Sequence, residues 1–153
     1  MRLALYTNVM AYAEGLIVAP GDAAKHDAAL KLVEASADIE MALARQALAE
    51  LHRLLGRKGG HTNSECSRRV RLWTERAALV DTGEAVFEAA LDLAADHGLQ
   101  IFDALILASA AEARCDLLLS EDLQDGFGWR GVVVSNPFGG APDARLGRLL
   151  KAI

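Results

Sequence analysis

Short uniformly apolar runs alternate along this chain with longer stretches in which apolar residues recur at helical spacing, the pattern of strands separated by helices. Arg2 to Tyr6 reads as a short buried strand running into Thr7-Asn8, whose side chains suit a turn or a helix cap. After Pro20-Gly21, Asp22 is placed to cap a helix carrying Ala29, Leu30, Leu32 and Val33. A second apolar stretch starts at Ile39 and precedes a helix from Gln46 to Leu55, whose Leu48, Leu51, Leu54 and Leu55 share one face. Gly56, Gly59 and Gly60 break that helix, Thr62 or Asn63 caps the next, and Ala78 to Val80 offers a brief strand before Asp81-Thr82-Gly83. A helix follows from Glu84 to His97. Gln100-Ile101-Phe102-Asp103 opens another helical run through Ala113, Cys115 to Leu119 is a continuous apolar strand ending at Ser120-Glu121-Asp122, and Val132 to Val134 is the last strand.

Strands separated by helical segments favour right-handed crossovers and a mostly parallel sheet covered on both faces. The expectation is an α/β fold, a three-layer α/β/α domain with a mostly parallel central sheet. In such sheets ligands collect outside the carboxyl ends of strands, where the Tyr6 and Asp122 junctions fall. Gly139-Gly140-Ala141-Pro142 looks like punctuation, so one domain over residues 1–138 and a tail over 139–153 are expected. In that tail Leu146, Leu149, Leu150 and Ile153 lie at helical spacing beside Arg145, Arg148 and Lys151, a short helix suited to a partner or a membrane surface, with docking on the chain's own core or fraying as the simpler outcome.

At 153 residues the chain is long enough for one core that buries about two thirds of its unfolded surface. Hydrophobic residues make up 52%, yet no apolar run approaches the ~20 residues that span a bilayer. Neither a signal peptide nor a membrane anchor is expected. Cys66 and Cys115 form no C-x-x-C pair and the four histidines lack zinc-like spacing, so the cysteines read as thiols in a reducing, cytoplasmic setting. The net charge of -5 argues against a uniformly basic surface that coats nucleic acid. Between His52 and Arg76, however, Arg53, Arg57, Lys58, Arg68, Arg69, Arg71 and Arg76 face only Glu65 and Glu75, a local +5 that leaves -10 for the remainder. Two solvated helix faces are the simpler account of this stretch, and a phosphate-tracking surface is the other.

Four positions carry the candidate chemistry: Tyr6 at the end of the first strand, Glu50 within Gln46 to Leu51, Asp103 at the head of an apolar helix, and Asp122 after the late strand. Taken singly, Asp103 is a helix-capping aspartate, Asp122 a turn residue before Gly126, and Glu50 an exposed helical glutamate. Together, Leu5-Tyr6-Thr7-Asn8-Val9, Gln46 to Glu50, Ile101-Phe102-Asp103-Ala104-Leu105-Ile106, Leu118 to Gly126 and the closing Asn136-Pro137-Phe138 resemble the PIN-domain nucleases, particularly the bacterial VapC-type toxins, over residues 1–138. The resemblance implies an acidic cluster of Glu50, Asp103 and Asp122 that holds Mg2+ or Mn2+, with Thr7, Asn8 and Ser120 as positioning groups and Asp125 as a weaker one. Magnesium and manganese prefer oxygen donors, and crowded carboxylates need a cation to neutralise them. The implied reaction is metal-dependent endonucleolytic cleavage of RNA, and the implied partners are a VapB-type antitoxin covering the acidic groove and a second copy in a homodimer.

The sequence departs from that family at Tyr6, where an aspartate is normal. A neutral phenol with a reference pKa near ~10 is a poor ligand for magnesium, and its ring is far larger than an acetate arm. The expectation is therefore an impaired nuclease. The competing reading is a catalytically silent protein that keeps the antitoxin contact. A phosphate-accepting receiver domain would need an acidic pair beside the first strand, where this chain has Tyr6-Thr7.

Overall fold

The computed structural model describes residues 1–151. The elements run β1 (Arg2–Leu5), α1 (Thr7–Ala13), α2 (Asp22–Ala35), β2 (Glu40–Ala44), α3 (Arg45–Arg57), α4 (Asn63–Arg76), β3 (Ala78–Val80), α5 (Glu84–His97), α6 (Ile101–Glu112), β4 (Leu117–Leu119), β5 (Gly128–Trp129), β6 (Val132–Ser135) and α7 (Ala144–Lys151). The strands form one sheet in the order β3-β2-β1-β4-β6-β5, parallel throughout except for the β5–β6 hairpin. The chain builds outward from β1 to β3, then returns across the sheet to place β4 on the other side of β1. Right-handed crossovers accordingly dispose helices on both faces, giving the expected three-layer α/β/α domain. Leu3, Leu5, Leu43, Leu117, Leu118 and Leu119 are fully or almost fully buried, as residues of central parallel strands must be. Ala104 to Ala110 of α6 are all buried, which explains why that helix is apolar around its circumference.

Several local expectations are corrected. Thr7-Asn8 opens a helix at once, with Tyr6 as an N-cap that makes no side-chain capping bond. Asp22 does not cap α2; Gly21, at φ 92°, occupies that position, while the Asp22 carboxylate accepts the Val18 and Ala19 N–H groups and closes the preceding loop. The Ile39 stretch continues as β2 because it is inserted between β1 and β3. Gly56 lowers helix propensity by only about 1 kcal/mol, and α3 passes through it to Arg57. Strand β5 escaped sequence reading because two residues carry no period. It forms through the Arg130-Gly131 turn, whose positive φ values of 45° and 88° suit a two-residue hairpin loop that follows the right-handed twist of its strands. Thr62 does cap α4, accepting the Glu65 N–H at 3.2 Å.

The tail docks on the body. Leu146 is fully buried, Leu149 and Leu150 pack against the core, and the Asp143 N–H donates to Ser135 Oγ at 3.1 Å. Ile153, assigned to the same apolar stripe, lies outside the described residues.

Helix α4 is tied to α1 by a polar contact rather than left as a free basic face. Glu14 accepts from Arg69 Nη1 and from Trp73 Nε1, each at 2.8 Å, and Arg69 Nε also reaches Glu65 at 3.1 Å. Arg68 pairs only with Glu65, one turn away, and is mostly exposed. These two neighbouring arginines should therefore behave differently. Arg69→Ala is expected to lower unfolding stability by about 1–2 kcal/mol, because it strips a charged partner from a partly buried acceptor, whereas Arg68→Ala changes it by less than about 0.5 kcal/mol. Urea denaturation of the two variants checks this, and equal losses would contradict the role given to Glu14.

Candidate active site

Backbone pairing fixes Tyr6 at the carboxyl edge of the sheet. Its N–H donates to Leu119 O at 2.9 Å, extending the β1–β4 ladder by one residue at the point where the strand order reverses. Such switch points are where open α/β sheets bind ligands. The ring is 7% exposed, and its hydroxyl donates to Asp103 Oδ1 from the first turn of α6. Asp103 makes no capping bond to the backbone, so the simple helix-cap account of this residue does not hold.

Glu50 reaches the same region from α3. One carboxylate oxygen accepts from Thr7 Oγ1 at 2.8 Å and the other from Gln46 Nε2 at 2.9 Å. Thr7 is buried and also approaches Ala47 O at 3.4 Å, so α1 and α3 are locked together beside the carboxylate. Gln46 was recognised only as the start of a motif. Its i to i+4 position relative to Glu50 is the signal that could have identified it. Asp122 follows β4, where buried Ser120 Oγ accepts the Asp122 and Leu123 N–H groups at 3.2 Å each and sets the turn. Asp125 lies farther along, exposed, and accepts the Asn136 N–H at 2.8 Å, which ties its loop to the end of β6.

The Tyr6 phenol is pushed well above the ordinary tyrosine range. Burial is the largest cause, followed by the bond to Asp103 and then the negative charges of Asp103, Glu50 and Asp122. The charges of Glu50, Asp103 and Asp122 thus all bear on Tyr6 despite their separation in sequence. The electrostatic consequence is that Tyr6 remains a protonated hydrogen-bond donor.

The oxygen donors here are of the kind a hard divalent cation takes, but their arrangement does not fit one. Among the described residues, no three His, Cys, Asp or Glu side chains gather closely enough to hold a metal ion. A proton donor stands against Asp103, and both Glu50 oxygens already accept hydrogen bonds.

Beside the acidic locus lies a cavity of about 340 Å³ whose lining includes Asn8, Tyr12, Leu54, Lys58 and Asp122. Both polar atoms of the Asn8 amide are buried without a hydrogen-bond partner, a cost of about 1–3 kcal/mol for each orphaned group. On the cavity wall Glu121 accepts from Tyr12 Oη at 2.5 Å and pairs with Lys25 at 2.6 Å. This trio was not anticipated from sequence, since its members are spread over residues 12 to 121. Of the basic stretch, Arg53, Arg57, Lys58 and Arg71 are exposed and carry no ion pair among the described residues, unlike Arg68 and Arg69.

Comparison with solved structures finds the same fold at low identity. A toxin–antitoxin complex from Klebsiella pneumoniae has a TM-score of 0.64 at 19% identity, covering 89% of this chain and 98% of that one. VapBC2 from Rickettsia felis, bound to a DNA fragment from its promoter, gives 0.64 at 20% identity, covering 89% and 98%. Mycobacterium tuberculosis VapC20, described as a sarcin-ricin loop cleaving toxin, gives 0.61 at 20% identity, covering 76% and 86%. No curated protein sequence matches. The PIN domain model matches residues 7–124, most of the chain and all of the elements that meet at the Tyr6–Asp103 contact except β1 and Tyr6 itself, and the chain therefore belongs to the PIN domain family.

Proposed function

We propose that this chain is a ribonuclease toxin of the VapC type whose metal-dependent cleavage of RNA is impaired by Tyr6. The observation that carries the reading is the Tyr6–Asp103 hydrogen bond: the phenol both replaces a carboxylate and engages a neighbouring one. In this reading Asp103, Glu50 and Asp122 are the acidic residues, Thr7 and Ser120 position them, Asn8 lies beside them with its amide unpaired, Asp125 contributes less directly, and Mg2+ or Mn2+ is the cofactor that the carboxylates would hold once the Tyr6 hydroxyl no longer engages Asp103. Membership of the PIN family and the fold shared with a toxin described as cleaving the sarcin-ricin loop support RNA as the substrate. Neighbours solved as toxin–antitoxin complexes support a VapB-type antitoxin as partner, and the family resemblance supports a homodimer in the cytoplasm. No described helix is long and apolar enough to cross a membrane. The same hydrogen bond favours a second reading, a silent PIN-domain protein that binds its antitoxin without cutting RNA.

Cleavage assays with added magnesium or manganese separate the two. Tyr6→Asp is expected to raise manganese affinity and RNA cleavage by at least about 10-fold, Tyr6→Phe to leave both near the starting level, and Asp103→Ala in the Tyr6→Asp background to abolish the gain. Equal metal affinity and cleavage by the unaltered chain and Tyr6→Asp would show that position 6 is no ligand site. A Tyr6→Asp chain that binds manganese yet leaves every RNA intact would favour the silent binder.

RNA binding gives an independent measurement. Arg53 and Arg57 are exposed on α3, the helix that also carries Glu50. If each contacts a phosphate, Arg53→Ala with Arg57→Ala should reduce the slope of log K against log salt for single-stranded RNA by about 1.4, from about 0.7 per contact. An unchanged slope would remove α3 from the RNA path.

A further inference from the structure

We propose that the cavity between Asn8, Tyr12, Leu54, Lys58 and Asp122 is a nucleobase subsite, in which the Asn8 side-chain amide pairs with the donor–acceptor edge of one unpaired RNA base. This inference rests on the reading of the chain as an RNA-binding PIN protein, and it assigns to Asn8 a specificity role distinct from positioning the carboxylates.

Three observations converge on it. First, Asn8 leaves a donor and an acceptor unpaired together, Nδ2 and Oδ1. Buried polar groups are rarely left so, and each exception calls for an explanation, of which a ligand or ordered water that completes the bonds is one. Second, the cavity that Asn8 lines is about 340 Å³, within the ~300–1,000 Å³ range of small-molecule sites, and Ala11, Leu16 and Leu54 give it apolar walls suited to a flat ring. Third, most of the charge on its wall is already satisfied. Asp22 accepts two backbone N–H groups, and Glu121 is held by Lys25 and Tyr12. What remains is the Asp22 and Asp122 carboxylates and the Lys58 ammonium, so Lys58 is, among the described residues, the one lining cation left to meet a phosphate.

The chemistry of the orphaned amide selects among ligands. An ammonium or guanidinium group offers donors only, so it would satisfy Oδ1 and leave Nδ2 unpaired. A base edge offers an adjacent donor and acceptor, and pairs both atoms in the bidentate manner by which Asn reads adenine. A peptide main chain also offers both, but Lys58 supplies a positive charge that a nucleotide's phosphate uses and a peptide backbone does not. The cavity also adjoins Asp122 and, through the chain, Tyr6, so a base seated there would belong to a nucleotide passing the acidic locus. Asn8 as a whole is only partly buried, so turning its side chain toward the cavity exchanges two unsatisfied atoms for a paired edge.

The test uses binding rather than cleavage. Uncleavable 2′-O-methyl octamers of A, C, G and U are titrated into the full chain by fluorescence anisotropy, with the Asn8 side-chain NH2 resonances followed by NMR. One octamer is expected to bind at least about 10-fold more tightly than the weakest, the discrimination of one bidentate pair, and to shift the Asn8 resonances. Asn8→Ala, and the isosteric Asn8→Asp should alanine perturb folding, are expected to bring all four octamers within about 2-fold of one another. Lys58→Ala should weaken all four alike. Binding with no base preference, or a preference that survives in a folded Asn8 variant, overturns the subsite while leaving the RNA reading intact. Failure of every octamer to bind at low salt overturns both. Asn8 resonances that move with a capped alanine-rich peptide and with no octamer assign the cavity to a peptide main chain and overturn the proposal.

Discussion

A tyrosine hydroxyl removed from water must find an acceptor, and at position 6 the main chain leaves it little choice. The N–H of Tyr6 is held by Leu119 in the central ladder, so the ring is directed into the carboxyl edge of the sheet, where Asp103 is the side chain that accepts the hydroxyl's hydrogen bond. An unpaired buried hydroxyl would cost more than the contact gains. The same contact sets the character of the locus. With burial and three nearby carboxylates all opposing ionisation, the phenol stays neutral and donating, and it takes up one oxygen of the group that the family reading makes a metal ligand.

The position of that locus follows from connectivity. Placing β1 between β2 and β4 brings the residues after β1 and after β4 to the same edge, although more than a hundred residues separate them. Helix α6 must be apolar nearly all round because it packs against the centre of the sheet, and its first turn therefore delivers Asp103 from within a buried element. Thr7 binds Glu50 and fastens α1 to α3, which makes the acidic edge a rigid feature rather than a set of independent side chains.

Charge is partitioned by the same packing. The local basic excess visible in sequence divides into arginines consumed by Glu14 and Glu65 and others on α3 and α4 that face solvent. Around the neighbouring cavity Lys25, Tyr12 and Glu121 neutralise one another, with Lys25 held above its ordinary range chiefly by its contact with Glu121. Among the described residues, the buried side-chain nitrogen and oxygen atoms left without hydrogen-bond partners are the two of the Asn8 amide and Arg2 Nε.

By itself the sequence determined the fold class, since uniformly apolar runs and helical periods are consequences of which faces must be buried, and the resemblance of its motifs to the PIN-domain nucleases marked positions 6, 50, 103 and 122, which singly read as ordinary capping, turn and surface residues. It missed α1 and β5, because a seven-residue helix without a capping side chain and a two-residue strand leave no periodic trace. It also assigned Asp22 to a helix cap and Arg68 and Arg69 to one surface, where local spacing is the same whether a side chain meets water or a distant partner. The Tyr6–Asp103 bond, the Glu14 tie, the Tyr12–Lys25–Glu121 trio and the orphaned Asn8 amide were decided only by tertiary structure. Each depends on groups brought together from separate elements, and hydrogen bonding at a range of about 3 Å is set by how those elements pack rather than by their order along the chain.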